Sequence, residues 1–159
     1  MSDKRPILFA TDGSPSAQEA QTEAFELAQR LDAPLVVVSV AHAALPAVGY
    51  AGYGYTDVVA ELSRAEGKRV KELLATVATT ACAEDVPCST VEADGFAVEE
   101  ICRVASERDA QLIVVGSHGW GAGRRLLSGS VSTGLVHTAP CPVLVVRPRA
   151  EAREHAAAA

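Results

Sequence analysis

The chain has 159 residues, 48% of them hydrophobic, with 14 basic and 20 acidic side chains and a formal charge of −6. That length supports one hydrophobic core rather than two, and an acidic chain whose Lys and Arg residues gather in groups of no more than two or three offers no nucleic-acid surface. No apolar run approaches the length needed to cross a bilayer, so a soluble, cytoplasmic protein with no membrane contact is expected.

In chain order, Pro6 to Ala10 is the first strand candidate, stopped by the turn signal Thr11-Asp12-Gly13-Ser14-Pro15. Asp12 then sits at the carboxyl end of a strand, the edge where open α/β sheets take ligands; it also suits a simple turn. The next helix opens either at Ser16, in a Ser16-x-x-Glu19 capping box, or at Ser14, just before Pro15. Ala17, Ala20, Ala24, Leu27, Ala28 and Leu31 recur along it at helical spacing, and it ends before Pro34. The β-branched run Leu35 to Val40 is the second strand. Residues 41–56 interleave Pro46, Gly49, Gly52 and Gly54 with Tyr50, Tyr53 and Tyr55. They read as a long connector, with an aromatic stacking surface as the alternative.

From Asp57, taken as an N-cap, Val58, Val59, Leu62, Ala65, Val70, Leu73, Leu74 and Val77 mark a long helix reaching about Cys82. Gly67 interrupts it at a cost of about 1 kcal/mol relative to Ala, and nothing in the sequence explains it. The charges from Arg64 to Glu72 form a solvated face. Val86 to Ala93 is the third strand, and Asp94-Gly95 turns into a helix with Val98, Ile101, Cys102 and Ala105 on one face. The cysteines, at 82, 88, 102 and 141, form no C-x-x-C pair, which favours buried thiols over disulfides or metal ligands.

Two continuous apolar runs follow, Leu112 to Val115, ending at Gly116, and Pro142 to Val146. Such runs suit parallel strands covered on both faces. Between them stand Gly116, Gly119 and Gly129, then Ser130, Val131 and Ser132. Without a Cβ, a glycine lets backbone N–H groups approach phosphate oxygens. Ser130-Val131-Ser132 opens a helix toward His137, whose first N–H groups lack helical partners and whose dipole favours an anion. Glycines alone describe a plain connector equally well. Strand and helix alternate throughout, which gives a doubly wound parallel α/β sheet. The first strand lacks the G-x-G-x-x-G of a dinucleotide fold, and no Walker sequence is present.

Val-Val-Gly-Ser-His-Gly at 114–119, Gly-Ser-Val-Ser at 129–132 and Ala-Pro-Cys-Pro-Val-Leu-Val-Val-Arg-Pro at 139–148 together resemble the C-terminal signature of the universal stress protein family. In nucleotide-binding members the pattern G-x-x-G-x9-G-[S/T] holds ATP, and Gly116, Gly119, Gly129 and Ser130 meet its fixed positions. The resemblance implies a five-stranded sheet in the order 3-2-1-4-5, helices on both faces, over residues 1–148. It also implies ATP or a related adenine nucleotide, with Mg2+ or Mn2+, across the carboxyl ends of strands one and four. Asp12 would face the ribose and the Val40 backbone the adenine, with Val115, Gly116, Gly119, Gly129, Ser130, Val131 and Ser132 completing the site. A homodimer through the last strand, about 142–148, is a further implication. The chain departs from the family at Phe96-Ala97, where Pro often follows the glycine, and at Gln111, where Asp is usual.

No Lys or paired carboxylates are placed to clamp a transferring phosphoryl group. Asp12 and His118 are the candidates for a base or metal contact, and a loop-stabilising hydrogen bond explains His118 equally well. Arg124 and Arg125 either reach a γ-phosphate or lie in solvent. No catalytic residue and no protein metal site are therefore assigned. The expected function is an ATP-binding stress-response regulator or interaction module with at most slow hydrolysis; the alternative is a dimeric interaction module of the same fold that binds no nucleotide. Residues 149–159, charged and alanine-ended, are expected to be disordered.

Overall fold

The computed structural model describes residues 4–41, 56–117 and 130–147. Its elements are β1 (Ile7–Ala10), α1 (Pro15–Leu31), β2 (Leu35–Ala41), α2 (Thr56–Ala83), β3 (Cys88–Asp94), α3 (Ala97–Glu107), β4 (Leu112–Gly116), α4 (Ser130–Thr138) and β5 (Val143–Val146). The strands form one sheet in the order β3-β2-β1-β4-β5, all pairs parallel, as the alternating pattern and the family resemblance imply. The tyrosine-rich connector, His118, Gly119, Arg124, Arg125, Gly129 and the tail at 149–159 lie outside the described residues.

The period-two alternation of the strands sorts the core into two layers. Ile7, Phe9, Leu35, Val37 and Val114 point to one side, where Ala20, Ala24 and Phe25 of α1 and Val70, Leu74, Val77 and Ala81 of α2 cover them. Leu8, Ala10, Val36, Val38, Ile113 and Val115 point to the other, under Ile101, Val104 and Ala105 of α3 and Leu135 of α4. The central strands β1 and β2 are buried along their whole length. β3 and β5 are the sheet's edges, and β5 is half-buried at all four positions.

Of the two openings expected for α1, the structure takes Ser14: its Oγ accepts the Ala17 N–H at 3.3 Å, with Pro15 in the first turn. Proline suits that place because the N–H it lacks would have no helical partner. Asp57, read as a cap, falls inside α2, which begins at Thr56. Val58 and Leu62, expected on the buried stripe, are 53% and 57% exposed. The reason is length. Twenty-eight helical residues span about 42 Å, whereas the seven residues of β2 span about 23 Å, so the first turns of α2 overrun the sheet.

β3 begins at Cys88 rather than Val86. The Val86 N–H is committed to the Ala81 carbonyl at 2.9 Å, and Pro87 has no N–H to give. The same closure ends three helices. Asp32, Asp85 and Asp109 each adopt positive φ, at 48, 56 and 49°, and the next residue's N–H reaches back five positions: Ala33 to Ala28, Val86 to Ala81 and Ala110 to Ala105, each at 2.9 Å. This is the left-handed helix ending usually given to glycine; Asp tolerates it better than most side chains. In each case the residue after the Asp is buried.

None of the four cysteines is fully buried, contrary to expectation; all are free, and Cys82 is exposed. Ala81 takes the inward position next to it. Burial pushes the half-buried Cys88 and Cys141 thiols above their usual range. Ser39, 1% exposed on β2, is the only side chain among the described residues with a buried polar atom lacking a partner.

Gly134 is where α4 meets α3: a Cβ there would stand 2.7 Å from Val98 Cγ2, and the β-branched Val98 has little freedom to withdraw. Gly67 differs, since a Cβ would find only Glu92 Oε1, at 3.7 Å. Gly67→Ala should therefore recover helix propensity of about 1 kcal/mol and raise the melting temperature by about 3 °C. Gly134→Ala should lower it. Thermal unfolding followed by circular dichroism checks both signs.

Candidate functional site

In a parallel sheet every strand delivers its carboxyl end to one edge, and the order reverses direction between β1 and β4. A crevice forms there because the connections from the two strands leave to opposite sides. Here β1 leads into α1 on one face, and β4 leads toward α4 on the other.

The β1 side is a compact turn. Thr11 N–H continues the ladder to the Val38 carbonyl at 3.0 Å. Thr11 Oγ1 accepts the Gly13 N–H at 3.2 Å, Asp12 Oδ1 accepts the Ser14 N–H at 2.9 Å, and Gly13 takes φ of 77°. These side-chain caps replace hydrogen bonds that the sheet no longer supplies. Asp12 is held at the rim, partly exposed, and α1 starts two residues beyond Gly13.

The β4 side closes against it. A Cβ on Gly116 would lie 2.6 Å from Ser16 Oγ and 2.8 Å from both the backbone carbon and the oxygen of Ser16. The first turn of α1 therefore rests directly on the end of β4. Ser117, fully buried, donates its N–H to the Val146 carbonyl at 2.8 Å. Its Oγ lies 3.5 Å from Ser16 Oγ, and its carbonyl accepts the Ser132 hydroxyl at 3.4 Å. Three serines from α1, the end of β4 and α4 thus meet at one point.

Of the residues singled out in the sequence, Asp12, Val40, Val115 and Gly116 stand at or just past the carboxyl ends of β1, β2 and β4. Ser130, Val131 and Ser132 form the first turn of α4, exposed, half-buried and buried in turn. The Ser132–Ser117 hydrogen bond brings that turn to the same edge. Gly119 and Gly129 lie outside the described residues. Beside Val40, the Ala41 carbonyl accepts the Gly95 N–H at 3.2 Å, so the top of β2 is tied to the β3–α3 turn.

Sequence reading missed Ser16, Ser117 and Arg69. Ser16 appeared only as a rival helix cap, and Ser117 was passed over between two marked glycines. Arg69, on α2, reads in sequence as part of a solvated face, yet its Nη1 donates to the Asp12 carbonyl at 3.2 Å. Glu66 takes the other two contacts, Nε at 2.9 Å and Nη2 at 2.7 Å. No spacing rule reports such a contact, because it spans 57 residues.

The donor set suits an anionic ligand with a hydroxyl-bearing end. The first N–H groups of a nine-residue helix favour phosphate, and the Asp12 carboxylate accepts hydroxyl protons and repels phosphate. Among the described residues no group of three or more His, Cys, Asp or Glu side chains is placed to hold a metal ion. Among them, too, no helix is long and apolar enough to cross a membrane.

The all-parallel sheet in this order defines an α/β domain of the doubly wound class. Its pattern of residues is that of the Universal stress protein family, which matches positions 4–147, and the chain belongs to that family. Universal stress protein MJ0531 of Methanocaldococcus jannaschii is 34% identical over 143 residues, covering 90% of this chain and 82% of that protein. Among solved structures, the universal stress protein UspA from Lactobacillus plantarum superposes with a TM-score of 0.80 at 28% identity, over 91% of this chain and 99% of its own. A family protein from Arabidopsis thaliana, solved with AMP bound, shares the fold with a TM-score of 0.65 at 19% identity, over 92% and 94% of the two chains.

Gly116→Ala should be far more damaging than an ordinary glycine substitution, because its Cβ meets backbone on the facing helix. A loss of about 2 to 4 kcal/mol is expected from overpacking at a rigid contact. Urea unfolding of Gly116→Ala beside Gly67→Ala measures the contrast.

Proposed function

We propose that this protein binds ATP or a related adenine nucleotide at the carboxyl edge between β1 and β4. The observation that carries the reading is the meeting of α1, the end of β4 and the first turn of α4 around Ser117, where the fixed positions Gly116 and Ser130 of the family's phosphate pattern stand. The AMP bound by the Arabidopsis relative supports an adenine nucleotide as the ligand class. In this reading the triphosphate lies toward Ser130, Val131 and Ser132 and the loop glycines Gly119 and Gly129. Asp12 accepts from the ribose hydroxyls, and the backbone at Val40 and Val115 borders the base and sugar.

A divalent cation, Mg2+ or Mn2+, would be carried by the phosphates and water, since charge on a triphosphate needs neutralising beyond what N–H groups supply. With Asp12 turned to the ribose, the reading is of a protein that binds nucleotide with at most slow hydrolysis and acts as a cytoplasmic stress-response regulator or interaction module.

Calorimetry with ATP and Mg2+, after removal of any co-purified ligand, should show saturable binding. Gly119→Val and Gly129→Val should abolish it while leaving the circular dichroism spectrum unchanged. Absence of heat with the unaltered protein would refute the reading and leave the interaction module without nucleotide in its place.

The edge strand β5 supports a second element, a homodimer through residues 142–148. Val143 to Val146 present a half-buried apolar ladder at the sheet's open edge, and such an edge invites pairing with a second chain. Light scattering at micromolar concentration should report twice the chain mass. Val145→Lys, with folding confirmed by circular dichroism, should halve it.

A further inference from the structure

We propose that Arg69 is a positioning residue for the ligand site: from α2 it fixes the Asp12 turn and thereby sets the protein's preference for a nucleotide with free ribose hydroxyls. The inference deepens the reading above and rests on its assignment of Asp12 to the ribose.

Gly13, at φ of 77°, makes the Asp12–Gly13 peptide intrinsically adaptable, and the two caps from Thr11 and Asp12 take up N–H groups of the turn. The Asp12 carbonyl is the group that α2 takes up. Arg69 Nη1 donates to it at 3.2 Å, and one helical turn later Leu73 lies against Gly13, its Cδ1 3.2 Å from where a Cβ would stand. Residues four apart share a helix face, so Arg69 and Leu73 press on the same turn together. The peptide plane is held from outside, in the same turn whose Ser14 N–H orients the Asp12 carboxylate at 2.9 Å.

Arg69 is itself braced. Its fork meets both carboxylate oxygens of Glu66, a geometry that orients a guanidinium as well as holding its charge. Glu66, with the Asp12 charge nearby, raises the guanidinium's already high pKa. Glu66 is engaged by Arg69 and Asp12 by the backbone of its own turn, so the arrangement is a relay from α2 to the site. Lys cannot reproduce it, since an ammonium lacks the planar fork.

The test compares ATP with 2′,3′-dideoxy-ATP, both with Mg2+, by calorimetry on the unaltered protein, Arg69→Met, Arg69→Lys, Asp12→Ala and the Arg69→Met/Asp12→Ala double variant. Arg69→Met should weaken ATP by about fivefold or more, leave the dideoxy nucleotide unchanged, and add nothing in the Asp12→Ala background, as coupled residues do. Arg69→Lys, which keeps charge and stem, should also lose the discrimination. A helix-packing role alone would lower the melting temperature without changing the ratio of the two affinities. Equal weakening of both nucleotides would make Arg69 a phosphate-attracting charge and overturn the proposal, and so would additive losses in the double variant.

A second arm needs no nucleotide. Amide exchange in the free protein should show Gly13 and Ser14 exchanging faster in Arg69→Met while Val37 and Val38 keep their protection. Unchanged exchange at Gly13 and Ser14 refutes the relay even if the affinities move. Absence of ATP binding by the unaltered protein overturns the nucleotide reading and the specificity role with it, and the exchange arm then reports whether Arg69 still orders the turn.

Discussion

The structure depends on one approach, that of the last residue of β4 to the first turn of α1. With no Cβ on Gly116, the backbone of Ser16 comes within contact distance of the strand end. That contact sets the height at which α1 begins. It places Ser14 to cap the helix and Asp12 to form the rim, and it buries Ser16 and Ser117 against one another. A larger side chain at 116 would lift the helix from the sheet, and the crevice between β1 and β4 would lose its wall. Steric closeness at one position thus couples core packing to the shape of the site. The glycine that reads in the sequence as a phosphate-approach residue is required by the fold before any ligand arrives.

Much of the architecture was legible because its causes are periodic. The continuous runs at Ile7, Leu35 and Leu112 call for strands covered on both faces, and the stripes at Ala17 to Ala28 and Val98 to Ala105 for helices lying on them. Where the reading failed, a nonlocal or length-dependent effect intervened. The apolar stripe of α2 continues through Val58 and Leu62, but the sheet beneath has ended. Val86 has strand propensity, but its N–H closes the preceding helix. Cys82 sits in the expected helix, yet rotation about the helix leaves it facing outward.

The site was legible in part for a different reason. Strand ends, turn residues and a helix start are local features, so Asp12, Val115, Gly116 and the Ser130–Ser132 turn could be marked from the residues, and Val40 from the family resemblance. What joins them is not local. The serine cluster draws on three segments more than a hundred residues apart at its extremes, and Arg69 enters from a helix whose composition announces only a charged surface. A pattern of spacings reports which residues have suitable chemistry; it carries no information about which distant side chain holds them still.

The closure shared by α1, α2 and α3 has a wider consequence. Three connections at the amino edge are built alike, each a left-handed Asp followed by a buried residue whose amide reaches back into the helix. Three of the four floor turns are therefore standardised, while the opposite edge carries the connections that differ in length, composition and chemistry. Change is cheap along the upper connections except where Gly116 meets Ser16. Alteration within an upper connection, away from that contact, leaves these three floor turns and their register in place, so the upper edge can vary on a common chassis without a new fold.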